Sequence, residues 1–185
     1  IGYILLVFPF YEIGAFLDWL FPHSNAFCSN PYMFAMLWSS ILYTVLIGWV
    51  FYRLCLSLGC KHPLAVLLSL GLIFGSSFWP YSQTLYRLTA TGAILVCVLF
   101  FVFRYQKNQS KWNLVFLVLF TAFGLNVRED LVIGLGWIGL YTLLRYRQVR
   151  GFGCAIAIFS GACLGSVLWG IHNYVRFGTF FIENY

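Results

Sequence analysis

Apolar residues fall into seven long runs separated by short polar breaks: residues 1–21, 32–52, 63–79, 88–103, 112–126, 131–144 and 152–171. Runs of this length and apolarity predict an all-α chain, a polytopic bundle of transmembrane helices. The second run stops at Arg53, and Pro63 opens the third in the manner of a helix start. The first run is different. Pro9, Glu12 and Asp18 interrupt it, and the two acids lie six residues apart on roughly opposite helical faces. It reads as a juxtamembrane helix lying on the outer surface. The expectation is one transmembrane domain over 1–185, with six spans within 32–171 and an interfacial helix at 1–21. No internal repeat or linker divides it.

Composition agrees with this pattern. The chain is 62% hydrophobic, 21% aromatic and 9% charged, with a mean hydropathy of +0.86. A soluble domain carries about 25% charged residues. The net charge of +6 would suggest nucleic acid in a soluble protein. Here the cations sit in short loops, where they orient the chain in a bilayer, so no nucleic-acid partner is expected. Placing the second run outside-to-inside puts eight of the eleven Lys and Arg residues in inner loops: Arg53, Lys61, Arg104, Lys107, Lys111, Arg145, Arg147 and Arg150. Only Arg87, Arg128 and Arg176 fall outside, together with four of the five acids. The sequon Asn108-Gln109-Ser110 falls inside and is expected to be unglycosylated. Most of the six cysteines lie in or beside apolar runs as small hydrophobes, with no CxxC, so neither a metal site nor a disulfide framework is expected. The chain opens on Ile1 and stops in the polar stretch FIENY, which reads as an internal fragment of a longer, multi-pass integral membrane protein.

The densest charge cluster, Arg128-Glu129-Asp130, separates the two shortest late runs, of 15 and 14 residues. A 14-residue helix is roughly 21 Å long, against a hydrocarbon core of about 30 Å. Two arrangements follow. The turn is drawn into the membrane and its charges line a recess open to the outer side, or it is a plain hairpin with Arg128 paired to its own acids. Arg87 and Arg128 both present the planar fork that suits phosphate. Tyr81, Tyr86 and Trp79 fit either a sugar-stacking surface or the aromatic belt at the interface. His172, Asn173, Tyr174 and Arg176 close the last run. Gly161 and Gly165 form a GxxxG that points to close helix packing.

Four stretches, in order, resemble GT-C type membrane glycosyltransferases such as protein O-mannosyltransferases and lipid A aminoarabinose transferases. LLVFPFYEIGAFL resembles their juxtamembrane helix. GSSFWPYSQTLYRLTATGAIL resembles an outer loop and the helix after it. AFGLNVREDLVIGL resembles a later outer turn carrying an arginine, and HNYVRFGTFFIENY resembles a Tyr-Asn-Tyr-x-Arg-Phe-Gly segment. The resemblance implies transfer of a sugar from a polyprenyl-phosphate donor to a glycan, lipid or protein acceptor, on the extracytoplasmic face of a bacterial plasma membrane. It implies that Arg128 binds the donor phosphate while Glu129 and Asp130 orient it or touch the sugar. Arg87 and Tyr81 would be further donor contacts, and Asn173, Tyr174 and Arg176 would belong to an outer loop touching donor or acceptor. No cofactor is implied beyond the lipid-linked sugar, and the pattern leaves a divalent metal undecided. The chain departs from the family in two ways. Tyr86-Arg87-Leu88 lacks the expected acid or histidine, and the family's catalytic Asp belongs to a loop upstream of residue 1.

The alternative is a non-catalytic multi-span protein, a lipid-phosphate-binding subunit or flippase-like. A solute transporter fits less well, since no paired half-helices or repeats occur. The orientation has a direct test. Alkaline phosphatase fused after Thr84 or Glu129 should be active, and fused after Asn108 or Gln148 inactive.

Overall fold

In the computed structural model, residues 2–20, 31–76, 87–128, 130–146 and 149–180 are described. Those residues are all-α, with seven helices and no strand. The helices are α1 (Gly2–Leu20), α2 (Pro31–Ser57), α3 (His62–Phe74), α4 (Arg87–Asn108), α5 (Lys111–Val127), α6 (Leu131–Arg145) and α7 (Val149–Phe177). Every apolar run thus contains a helix. The expectation of six spans is reduced. Among the described residues three stretches are long and apolar enough to cross a membrane: Leu37–Ser57, Thr89–Asn108 and Gly151–Val175. Helices α3, α5 and α6 have 13, 17 and 15 residues, or roughly 20, 26 and 23 Å at the α-helical rise. Each is shorter than a hydrocarbon core of about 30 Å.

The chain forms two compact units, Gly2–Ala93 and Ile94–Tyr185. In the first, α2 packs against both α1 and α3. Its buried stripe runs Ser40, Tyr43, Thr44, Ile47, Val50, Leu54 at three- and four-residue spacing. Two buried hydroxyls of this unit bond within their own helices. Thr44 Oγ1 donates to the Ser40 carbonyl at 2.9 Å, and on α3 Ser69 Oγ donates to the Ala65 carbonyl at 2.8 Å. This i−4 bonding lets a polar side chain sit in an apolar setting without an orphaned donor. Tyr52 and His62 meet edge to face, 5.5 Å between ring centroids, where α2 passes to α3.

In the second unit, α7 packs along α5 and α6. Among its buried positions, Gly151, Cys154, Ile158, Gly161 and Gly165 form a seam of mostly small residues at alternating three- and four-residue steps. The glycines set the spacing. A Cβ on Gly161 would lie 2.6 Å from the Val118 carbonyl oxygen and 2.7 Å from Thr121 Cβ; one on Gly165 would lie 2.7 Å from the Ala122 carbonyl oxygen. These obstacles include α5 backbone, which cannot swing aside. The GxxxG is a packing motif, as its spacing suggested. Helix α4 joins through aromatic stacking of Phe101 on Phe116 and Phe120, with centroids 5.0 and 5.6 Å apart, and through Gln106 Nε2, 3.6 Å from Cys154 Sγ.

Large apolar side chains face outward on both units, among them Trp49, Leu67, Trp112, Trp137, Phe159 and Val175. Inside, small and hydroxyl-bearing residues such as Ala65, Thr121 and Thr142 lie among aliphatic ones such as Ile47, Leu117 and Leu135. Water would penalise that outward surface, whereas lipid would not.

Gly161→Leu or Gly165→Leu should destabilise the protein in detergent by about 1–3 kcal/mol or more through overpacking. Gly136, with open space around its Cβ position, should accept Leu with little change in thermal unfolding.

Candidate functional site

Helices α5 and α6 are joined by three residues, Arg128, Glu129 and Asp130. Arg128 follows the C-terminus of α5 in extended backbone (φ −153°, ψ 124°), and its N–H donates to the Gly124 carbonyl at 3.0 Å. Asp130 occupies the N-cap of α6. Cation at a helix C-terminus and anion at a helix N-terminus both complement the helix dipoles. The two side chains then meet. Arg128 Nε donates to Asp130 Oδ1 at 2.8 Å, and its Nη2 donates to Oδ2. This bidentate pair holds both carboxylate oxygens, so Asp130 makes no side-chain cap to the α6 amides. The pair is open to solvent, the side chains being 39% and 55% exposed. It is therefore worth only about 0–1 kcal/mol and is readily exchanged. Of the two arrangements that the sequence left open, the hairpin with Arg128 on its own acid describes this pair. Glu129 lies outside the described residues.

Beside the turn lies a cleft of about 240 Å³, lined by Leu125, Val132, Gly165, Ser166 and Trp169. Leu125 precedes the turn by three residues and Val132 follows it by two, so two of the lining residues lie within a helical turn of it along the chain. Neither Arg128 nor Asp130 is part of the lining. Asn126 ties α5 to Gly165, one of the lining residues. Its Nδ2 donates to the Ala122 carbonyl at 2.9 Å within α5 and to the Gly165 carbonyl at 3.1 Å across on α7. That cross-helix bond depends on the glycine contact, which brings the two backbones close enough for one amide to reach both.

Asn173 lies one and two further turns along the α7 stripe defined by Trp169 and Gly165. It is 3% exposed, and its Nδ2 has no hydrogen-bond partner. A buried amide without a partner carries a desolvation penalty, which makes this the unfilled donor nearest in register to the cleft. Tyr174, on the outward side, stacks on Phe180 with ring centroids 4.8 Å apart. Gly178, at φ +75°, turns the chain back after α7 so that Phe180 also reaches Gly170. Its N–H donates to the Tyr174 carbonyl at 2.9 Å. A left-handed residue closing a helix in this way is a conformation glycine adopts without strain.

The expected site residues are thus divided. Arg128, Asp130 and Asn173 fall around the cleft end of α5, α6 and α7. Tyr81 and the side chains of Arg87 and Arg176 lie outside the described residues. Asn126, Ser166 and Trp169 were not picked out from the sequence. The available signal was a polar Asn inside an apolar run and the four-residue steps from Trp169 to Asn173 and Gly165. Among the described residues no group of three or more His, Cys, Asp or Glu is placed to hold a metal ion.

Compared with protein families, curated proteins and solved structures, the chain matches none.

Asn173→Leu should leave the protein as stable as before or slightly more so, since it removes an unpaired buried amide. Asn126→Leu should lower the melting temperature, because it breaks the bond from α5 to α7. Thermal unfolding of both variants in one detergent checks the contrast.

Proposed function

We propose that this chain is part of a membrane glycosyltransferase that moves a sugar from a polyprenyl-phosphate donor to an acceptor on the extracytoplasmic face of a bacterial plasma membrane. The ordered resemblance over nearly the whole sequence supports the reading. The structural observation that carries it is the Arg128 fork, held by an exposed and exchangeable carboxylate in the turn between two helices that both contribute residues to a cleft.

In this reading α2 to α7 all cross the membrane, α1 lies on the outer surface, and the α5–α6 turn sits at the outer interface. A donor phosphate takes the place of Asp130 on Arg128. Two phosphate oxygens accept the two guanidinium bonds now made to Asp130, and Arg–phosphate pairs of that form are among the stronger hydrogen-bonded contacts. The released Asp130, with Glu129, is then free to meet sugar hydroxyls. Asn173 supplies a buried donor, and Arg87, Tyr81, Tyr174 and Arg176 are further contacts of donor or acceptor. In the transfer step an acceptor hydroxyl loses its proton to a base and attacks the anomeric carbon. The bond to the polyprenyl phosphate breaks, and Arg128 stabilises the negative charge that develops on the leaving group. The resemblance places that base upstream of residue 1.

A second reading is a non-catalytic lipid-phosphate-binding subunit or a flippase-like protein. The Arg128–Asp130 pair serves it equally, since a lipid phosphate would exchange with Asp130 whether or not transfer follows.

Binding of a short-chain polyprenyl phosphate to the protein in nanodiscs tests the shared part. Arg128→Ala should weaken binding by about tenfold or more, the worth of a charged hydrogen bond. Asp130→Asn should leave binding equal or tighter, because it removes the competitor. Unchanged binding in Arg128→Ala would remove Arg128 from the site. Sugar transfer by the intact protein separates the two readings, since only the first predicts turnover and its loss in Arg128→Ala.

A further inference from the structure

Helix α2 ends in a complete Schellman cap. The Cys60 N–H donates to the Cys55 carbonyl at 3.0 Å, and the Gly59 N–H donates to the Leu56 carbonyl at 3.1 Å. Gly59 supplies the left-handed residue, at φ +90°. This cap brings together the side chains at the two ends of its outer hydrogen bond. Here both ends are cysteines. The Cys60 side chain interacts directly with that of Cys55, and both thiols are free. Their exposures differ: Cys55 is 4% exposed, whereas Cys60 is half-buried. Two exposed cations, Arg53 and Lys61, flank the pair in sequence. No third ligand joins them, since no group of three or more metal-binding side chains occurs among the described residues. The chemistry open to the pair is that of two thiols.

We propose that Cys55 and Cys60 form a redox-active dithiol that closes to a disulfide across the α2–α3 turn by exchange with a low-molecular-weight disulfide. Cys60 is the attacking residue, because the attacking sulfur must reach solvent to meet an oxidant, and of the two only Cys60 does. Its Sγ attacks one sulfur of the oxidant. The oxidant's S–S bond breaks, and one half leaves as a thiolate that takes up the Cys60 proton. The other half stays on Cys60 as a mixed disulfide. Cys55 Sγ then attacks Cys60 Sγ and displaces that half, which leaves with the Cys55 proton. Two electrons pass from the protein to the oxidant, and two small thiols are released. The positive-inside expectation places this turn on the inner side, where thiols rest reduced and disulfides are transient. The closed form would add a covalent tie to the elbow between α2 and α3, which the dithiol holds by backbone hydrogen bonds and helix packing.

The sequence provides a clean assay. Trypsin cleavage at Arg53 and Lys61 releases residues 54–61, a fragment holding both cysteines and no other. The intact protein in detergent is equilibrated with mixtures of reduced and oxidised glutathione, alkylated and digested. The fragment should appear unalkylated and lighter by two hydrogen masses, at an equilibrium constant about tenfold or more above that of urea-denatured protein. Cys55→Ser should retain a glutathione adduct on Cys60, and Cys60→Ser should leave Cys55 unmodified. Recovery of the doubly alkylated fragment from folded protein under oxidised glutathione would overturn the proposal. So would a stable glutathione adduct in the wild-type protein, or equal closure in the folded and denatured chain.

Discussion

The C-terminal unit depends on how closely the backbones of α5 and α7 approach one another. Gly161 and Gly165 leave no room for even a methyl group against Val118, Thr121 and Ala122. Helices in lipid gain little from burying apolar surface, because the surroundings are as apolar as the interface, so close packing and a few polar bonds must hold them. The glycine seam meets the first need and brings the second within reach. Only at that separation does the Asn126 amide span from the Ala122 carbonyl to the Gly165 carbonyl. The cleft lined by Leu125, Val132, Ser166 and Trp169 is what remains where the two helices stop touching and the chain turns into α6.

The polar residues of the interior divide by reach. Thr44, Ser69 and Thr142 bond carbonyls of their own helices, so they satisfy themselves and say little about which helix lies alongside. Asn126 and Gln106 reach across to α7 and fix its register against α5 and α4. The Arg128–Asp130 pair belongs to neither kind. It closes a three-residue turn with a local bond between groups the helix dipoles already favour there. It needs no partner outside the turn to form, and its exposure leaves it open to exchange.

Helix positions were legible in the sequence because a bilayer demands uninterrupted apolar runs. The run at 131–144 became Leu131–Arg145, and that at 112–126 became Lys111–Val127. Ends were read less well where charge and hydrogen bonding disagree. The second run seemed to stop before Arg53, yet α2 continues to Ser57, since a helix propagates through its backbone and an arginine is a good helix former. The Arg128 pairing was visible only as one of two alternatives, because its choice depends on the backbone angles of the turn. The meeting of Cys55 and Cys60 was hidden for the same reason. Five residues apart is no helical neighbour distance, and only the left-handed Gly59 brings their side chains to one place. The number of spans was less legible, because hydropathy marks apolar runs without measuring helix length: three stretches of the described residues are long and apolar enough to cross by themselves, and α3, α5 and α6 are shorter.

That shortness has a consequence for the surrounding lipid. A membrane-embedded helix shorter than the hydrocarbon thickness draws the two leaflets together locally, at a fraction of a kcal/mol for each ångström of mismatch. With α5 and α6 at 17 and 15 residues sharing one turn, such a dimple would centre on Arg128 and Asp130. Headgroups at its floor would stand level with the cleft, and a lipid phosphate would meet the guanidinium without leaving its own leaflet.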